Sequence, residues 1–325
     1  MAIALERVSV LAVTNTYPTD EMPGDTPCIK DQIMALRAQG VIVDLLHVDR
    51  SKGKLSYARA AWRLFLKSFR GKEYDLIHAY YGHCGLLARL QLRYPIVVTF
   101  RGSDLLSHKD GLIGRIVARL VQGVIVMSEE MERATKRQDA HIIPFGVNLD
   151  LFTPYPKERA RRDLGLPMSE KLVLFPWNPA RPEKRFDIVE EAIRALKRDD
   201  ESVRLVVVYN KPSEVVAKYM NACDVMVLAS DHEGSPMAVR EAMACNLPVV
   251  SVDVGDVRQI IGGIVSCHLC KQEAGDLAEK LSWVLCGGER TDGSRIVRKM
   301  DAAWSAEQVI SVYSQVLTKR QVRAQ

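Results

Sequence analysis

The stretch EGSPMAVREAMACNLPVV, residues 233–250, decides how the rest of the chain reads. The apolar run DVMVLAS (224–230) before it has strand character, and DHEG makes a loop at that strand's carboxyl end. Ser235 suits a helix N-cap and Pro236 the first helical position. The helix then runs to about Cys245, and Asn246 suits a left-handed stop before the next strand, PVVSVD (248–253). A strand, a helix and a strand in so short a span imply parallel strands joined by a crossover helix. In open sheets of that kind ligands lie at the carboxyl ends of the strands. Two carboxylates fall there, Glu233 in the loop and Glu241 inside the helix.

Outward from this segment the same alternation fills the chain. VSVLAVTN (8–15), VIVDLLHV (41–48), DLIHAY (75–80), PIVVTF (95–100), GVIVMS (123–128) and HIIPF (141–145) read as strands, with helical runs between them. GVNLDLFTPYPKERARRDLGLP (146–167) breaks the pattern with three prolines and little apolar periodicity, and reads as a linker. A second series starts at KLVLFPW (171–177) and continues through VRLVVVYN (203–210) to GIVSCHLC. The expected architecture is α/β, with two doubly wound Rossmann-type domains facing a central cleft. The first domain spans 1–150, the linker 151–170 and the second domain 171–300. A long helix, 301–325, is expected to cross back to the first domain.

A length of 325 residues fits two cores, and 47% hydrophobic with 26% charged residues is ordinary for a soluble globular enzyme. There is no run of 18 apolar residues, which excludes an obvious transmembrane helix. MAIALERVSVLAVTNTYP carries Glu6 and Arg7 in its apolar part and reads as a first strand rather than a signal peptide. Seven scattered cysteines, an odd number, favour a reduced, cytoplasmic protein. Cys267 and Cys270 have C-x-x-C spacing, but no second pair follows to complete a zinc site, and no metal is expected.

The helix that follows Glu233 presents unpaired N–H groups and the positive end of its dipole, so the place suits an anion such as a diphosphate. A carboxylate accepts hydrogen bonds in pairs and matches neighbouring sugar hydroxyls. Two carboxylates flanking a diphosphate site fit a nucleotide sugar: a sugar at Glu233 and a ribose at Glu241. The plainer alternative stays open, with Glu233 a helix-start charge and Glu241 paired with Arg240 or a lysine.

The segment EGSPMAVREAMACNLPVVSVDVGDVRQII resembles the E-x7-E segment of family 4 glycosyltransferases, retaining enzymes of the GT-B fold. The resemblance implies that Glu233 contacts the donor sugar and Glu241 the ribose, with Gly234, Ser235 and Pro236 beside the diphosphate. It extends over most of the chain. NTYPTDEMPGDTPCIKDQIMALRAQG looks like the family's opening strand, glycine loop and first helix, with Gly24 near the donor. DLIHAYYGHCGLLAR matches the segment whose histidine lies near the donor sugar, here His83. VVTFRGSDLL is similar to the next active-site turn, with Arg101, Gly102 and Asp104. RPEKRFDIVEEAI resembles the basic segment that neutralises the diphosphate. Lys184 fits there; Pro179 stands where the family has an arginine, and Arg181 takes that role from two residues closer.

The function implied is retaining transfer from a UDP- or GDP-sugar to a saccharide or lipid-linked acceptor, in cell-surface polysaccharide or glycolipid assembly. No D-x-D motif is present, and Lys184, Arg181 and the helix N-terminus are expected to stabilise the leaving group without a metal or cofactor. Two other readings are a sugar-nucleotide epimerase and a non-catalytic nucleotide-sugar-binding subunit. The stretch 52–72, KGKLSYARAAWRLFLKSFRGK, holds seven basic residues and no acid. Trp62, Phe65, Leu66 and Phe69 share a helical face next to Arg59, Arg63, Lys67 and Arg70. The face is either packed on its own sheet or docked on an anionic membrane. Nucleic acid is not expected, since no binding motif accompanies the charge.

Overall fold

A computed structural model of the chain describes residues 8–69, 73–107 and 110–324. Arg70 and Lys72 of the basic stretch, and Glu6 and Arg7 before the first strand, lie outside the described residues. The chain divides into two compact units, one of residues 1–18, 26–146 and 302–325, the other of residues 19–25 and 147–301.

The first unit is built from β1 (Ser9–Thr14), α1 (Pro27–Ala38), β2 (Ile42–His47), α2 (Lys54–Phe69), β3 (Leu76–Tyr80), α3 (Gly82–Ala88), β4 (Ile96–Thr99), α4 (Ser103–Leu106), α5 (Gly111–Leu120), β5 (Gly123–Val126), α6 (Glu129–Thr135) and β6 (Ala140–Ile142). The second holds α7 (Lys157–Leu164), β7 (Lys171–Phe175), α8 (Phe186–Asp199), β8 (Val203–Val207), α9 (Ser213–Ala222), β9 (Val225–Leu228), α10 (Met237–Ala244), β10 (Val249–Val252), α11 (Val257–Ile261), β11 (His268–Cys270), α12 (Ala274–Gly287) and α13 (Ser294–Val297). The last helix, α14 (Ala302–Ala324), belongs to the first unit.

Both sheets are parallel, in the orders β2-β1-β3-β4-β5-β6 and β11-β10-β9-β7-β8. Strands β3, β4, β5, β9 and β10 are buried throughout. Hence they read as mostly apolar runs rather than as alternating patterns. In the first unit, the chain moves one way across the sheet from β1 to β2 and the other way from β2 onward. Right-handed crossovers then place α1 on one face and α2, α3 and α5 together on the opposite face. α14 joins the α1 face, with Ala306, Val309, Val312, Tyr313 and Val316 buried at helical spacing.

Two local readings of the sequence are corrected. The linker contains the helix α7, which packs on α9. Its Arg161 is almost fully buried and donates to the carbonyls of Ala222, Pro167, Met168 and Glu170 and to the Asp224 carboxylate. A helix anchored by a satisfied arginine has no apolar periodicity to announce it. In α2, of the two readings left open, packing of the aromatic face on the sheet fails. Ala60 and Leu64 turn inward, while Trp62, Phe65, Leu66 and Phe69 are exposed.

Candidate functional site

In the second unit the loop between β9 and α10 brings the sequence candidates together. Lys184 ends a short 3-10 turn, Pro182–Lys184, ahead of α8. Its ammonium pairs with Glu233 Oε1 and lies 4.9 Å from the centre of the Trp177 ring. The same Oε1 accepts from the Ser230 hydroxyl at 2.8 Å. The Lys184 side chain is only 5% exposed and that of Glu233 15%, so the pair is screened little by water. Burial pulls the ammonium below its ordinary pKa, and Glu233 opposes that shift without cancelling it. Arg181 points elsewhere: it is exposed and donates to Glu183 Oε1 at 2.7 Å.

Ser235 departs from its expected role. The N-cap of α10 is Pro236, with no side-chain cap, and the helix starts at Met237. The Ser235 hydroxyl instead donates to Asp256 Oδ2 at 3.0 Å and accepts from Arg240, which also pairs with Asp256. Arg240 is thereby engaged by Asp256. Arg240 Nε and Asp256 Oδ1 are buried without a hydrogen-bond partner. Gly255, with φ of +58°, lies so close that a Cβ there would meet the Gly234 carbonyl at 2.9 Å. The loop after β10 therefore braces the backbone of residues 233–235 from behind. Gly234 and Pro236 are buried in this brace, and Glu241 is half-buried in the second turn of α10.

Gly24 is held against Asn210, in the loop after β8. Its N–H donates to Asn210 Oδ1 at 3.3 Å, and a Cβ would meet the Asn210 backbone at 2.8 Å. A glycine is thus required by close packing.

The first unit carries a separate group at the carboxyl ends of β3 and β4. His83 follows Tyr81, whose ring stacks on it at 5.6 Å. Asp110 Oδ1 lies 3.7 Å from His83 Nε2, and its Oδ2 accepts from the Tyr81 hydroxyl at 3.2 Å. Tyr81 has φ of +93°, an outlier for a bulky residue and a mark of functional sites. Burial pushes its phenol up to about 12. Arg101 donates to the Thr16 hydroxyl at 2.6 Å and faces the Tyr81 ring at 5.7 Å. Asp104 is corrected from a ligand group to a positioning group. It is fully buried, and its carboxylate accepts from the amides of Arg101, Gly102 and Gly82 at 2.9, 3.0 and 3.0 Å. Burial raises its pKa against the pull of Arg101.

Sequence reasoning missed Trp177, Ser230, Gly255 and Asp256 in the second unit, where it considered Arg240 only as a partner for Glu241, and Tyr81 and Asp110 in the first. The glycine in SVDVGDV, directly after a strand, was the one signal available. Among the described residues, no three His, Cys, Asp or Glu side chains gather as a metal site.

The family model described as Glycosyltransferase Family 4 matches residues 7–151, and that described as Glycosyl transferases group 1 matches residues 190–286. TuaC of Bacillus subtilis (strain 168), a glycosyltransferase assigned to teichuronic acid biosynthesis, is 27% identical over 263 residues, covering 71% of this chain and 67% of TuaC. Among solved structures, sucrose-phosphate synthase from Thermosynechococcus elongatus superposes with a TM-score of 0.79 at 20% identity, covering 96% of this chain and all of that one. Anabaena HepE in complex with UDP and glucose superposes with a TM-score of 0.71 at 17% identity, over 95% of this chain and all of HepE.

Proposed function

The chain belongs to glycosyltransferase family 4 and has the GT-B fold; from that premise we propose that it moves a sugar, with retention of configuration, from a nucleotide diphosphate sugar to a saccharide or lipid-linked acceptor. The observation that carries this reading is the buried Lys184–Glu233 pair beside the start of α10.

Departure of a nucleoside diphosphate puts negative charge on phosphate oxygens and positive character on the anomeric carbon. An ammonium has three N–H donors, and Glu233 takes one of them from Lys184. The others, with the first amides of α10, can meet a phosphate. They are fixed before reaction, so they stabilise the developing charge without reorganising. Such groups do what a divalent cation does elsewhere, and we assign the transfer no metal requirement. Both protein contacts to Glu233 fall on Oε1, which leaves Oε2 for hydroxyls of the donor sugar. Glu241, one turn into α10, accepts from the ribose. Arg181 reaches a phosphate only by leaving Glu183, so Lys184 carries the larger share. We assign Glu233 to the sugar hydroxyls rather than to the anomeric carbon, and the consistent reading is front-face transfer with the leaving phosphate taking the acceptor's proton. In the first unit, His83 is the candidate for orienting sugar hydroxyls.

HepE, solved with UDP and glucose, supports a uridine donor as the first to test, with GDP-sugars next. TuaC supports an acceptor in surface polysaccharide assembly. A thermal-shift screen of UDP, GDP and their sugars tests the reading directly. Glu241→Ala should weaken the response to free nucleotide, and Glu233→Gln should act mainly on the sugar part. Parental responses from both variants would defeat the assignment. Release of nucleoside diphosphate only when acceptor is present separates transfer from epimerisation and from binding alone.

A further inference from the structure

The helices α2, α3 and α5 lie side by side on one face of the first unit, α2 against α3 and α3 against α5. Each leaves large apolar side chains in water. On α2 the rings of Trp62, Phe65 and Phe69 form a ladder along the exposed side, with centroids 5.8 and 4.9 Å apart. Phe69 is 72% exposed. The turn after α3 exposes Leu90 and Leu92, the latter at 84%. On α5, Leu112, Ile116 and Leu120 recur every four residues and are all exposed. A monomer seldom displays so many contiguous apolar groups without a partner.

The charge within these helices has one sign. Residues 54–69, 82–93 and 111–120 contain no aspartate or glutamate, yet carry Arg59, Arg63, Arg89, Arg93, Arg115 and Arg119. The nearest acids stand at the ends of these helices: Asp110 precedes α5, and Glu73 pairs with Lys67 of α2. At the amino-terminal edge of the sheet the face opens into a cavity of about 500 Å³. Arg89, Arg93, Arg119, Arg137, Lys319 and Arg320 line it, together with the exposed Leu92 and Leu120. Asp139 is the one acid in that lining, and Arg137 holds it with two hydrogen bonds of 2.7 and 2.8 Å. Arg89 Nε is buried there with no hydrogen-bond partner. The cavity sits at the opposite edge of the sheet from His83, which follows the carboxyl end of β3.

We propose that the α2–α3–α5 face docks on the surface of an anionic lipid bilayer, with its exposed apolar side chains at the headgroup–acyl boundary and the arginine-lined cavity taking a headgroup phosphate. A protein partner would have to be both apolar and uniformly acidic over three helices. An anionic bilayer offers that combination everywhere: a negative surface over an apolar layer. No described helix is long and apolar enough to cross a membrane. The proposal does not depend on the donor reading, because it concerns a different face and edge of the first unit.

The test is flotation of the full chain with vesicles of phosphatidylglycerol mixed with phosphatidylcholine, against vesicles of phosphatidylcholine alone. Binding to the mixed vesicles only, weakened by added salt, is expected. Phe69→Ser with Trp62→Ser, and separately Leu112→Ser with Ile116→Ser, should each weaken binding at least tenfold. Arg89→Glu and Arg119→Glu should each weaken it by about fivefold or more. Brominated acyl chains should quench tryptophan fluorescence in the parent, and Trp62→Phe should remove most of that quenching. A parental circular dichroism spectrum and thermal midpoint certify that each variant is folded. Loss of binding on changing α2 but not α5 overturns the proposal, as does equal binding to neutral vesicles. Indifference to vesicles combined with self-association overturns it too, and assigns the face to a second copy of the chain.

Discussion

A lysine ammonium as enclosed as that of Lys184 persists because Glu233 and the Trp177 face replace part of its water. Removing the carboxylate strands the charge, and breaking such a pair from one side costs about 3–5 kcal/mol. Glu233→Ala should therefore destabilise the chain by about that much, whereas adding Lys184→Met should restore a large part of the loss. Urea unfolding of the two single variants and the double variant measures the coupling; additive losses would mean that the pair is not a unit. The same burial predicts a pH effect. Lys184 titrates below its ordinary 10.5 in the folded chain. Between the folded value and 10.5 the unfolded chain binds the extra proton, so this group's contribution to stability rises with pH. A bound diphosphate favours the charged ammonium, so its affinity should fall as pH rises through the folded value, at a pH below 10.5. Lys184→Arg keeps its charge and should flatten that loss. Calorimetric titration with UDP at rising alkaline pH decides it, and an unchanged alkaline loss in the arginine variant removes Lys184 from the phosphate site.

At the scale of elements, the glutamate loop owes its position to a neighbouring loop. Gly255 combines φ of +58° with a Cβ position 2.9 Å from the Gly234 carbonyl. Gly255→Ala therefore meets both a left-handed backbone and a backbone clash, and should cost about 1–3 kcal/mol. It should also displace Glu233 and weaken UDP-sugar binding more than UDP binding. Gly275, in the first turn of α12, has open space at its Cβ, and its alanine variant should be neutral or slightly stabilising. Thermal unfolding and UDP-sugar titration of the two variants test this, and equal effects would dismiss the bracing role. The helix α7 makes the complementary point. Hydrogen bonds from one buried arginine, rather than an apolar stripe, hold it to the unit. Arg161→Met should leave Asp224 with less compensation and cost about 3–5 kcal/mol, which chemical denaturation measures.

Over the whole molecule, acid stability should report how α14 is attached. His78 of β3 is fully buried between the Tyr313 hydroxyl of α14 at 2.6 Å and the Thr99 hydroxyl of β4 at 2.7 Å. Burial lowers its pKa from 6.5 to about 3, so the folded chain keeps it neutral where the unfolded chain would protonate it. Its contribution is complete above pH 6.5 and is lost as pH falls toward 3. His78→Gln should lower stability at neutral pH yet flatten the slope across that range, as read by thermal unfolding at a series of pH values. A slope parallel to the parent's would place the acid sensitivity elsewhere. How much of the molecule was legible without coordinates follows from how far each signal reaches along the chain. Runs such as VIVDLLHV and PIVVTF, and the strand–loop–helix–strand order around Glu233, are local and periodic. By themselves they determined the α/β class, Glu233 in the loop after a strand and Glu241 in the helix that follows; Lys184 was marked only by the family resemblance. The partner of each side chain is not local. That Lys184 meets Glu233 across 49 positions, that Ser235 serves Asp256 rather than its own helix, that Asp104 is a buried positioning group and that the α2 aromatics face outward were decided by tertiary structure alone. Periodicity says which residues share a face, but only packing says whether that face meets protein or water, because burial depends on what the rest of the chain places against it.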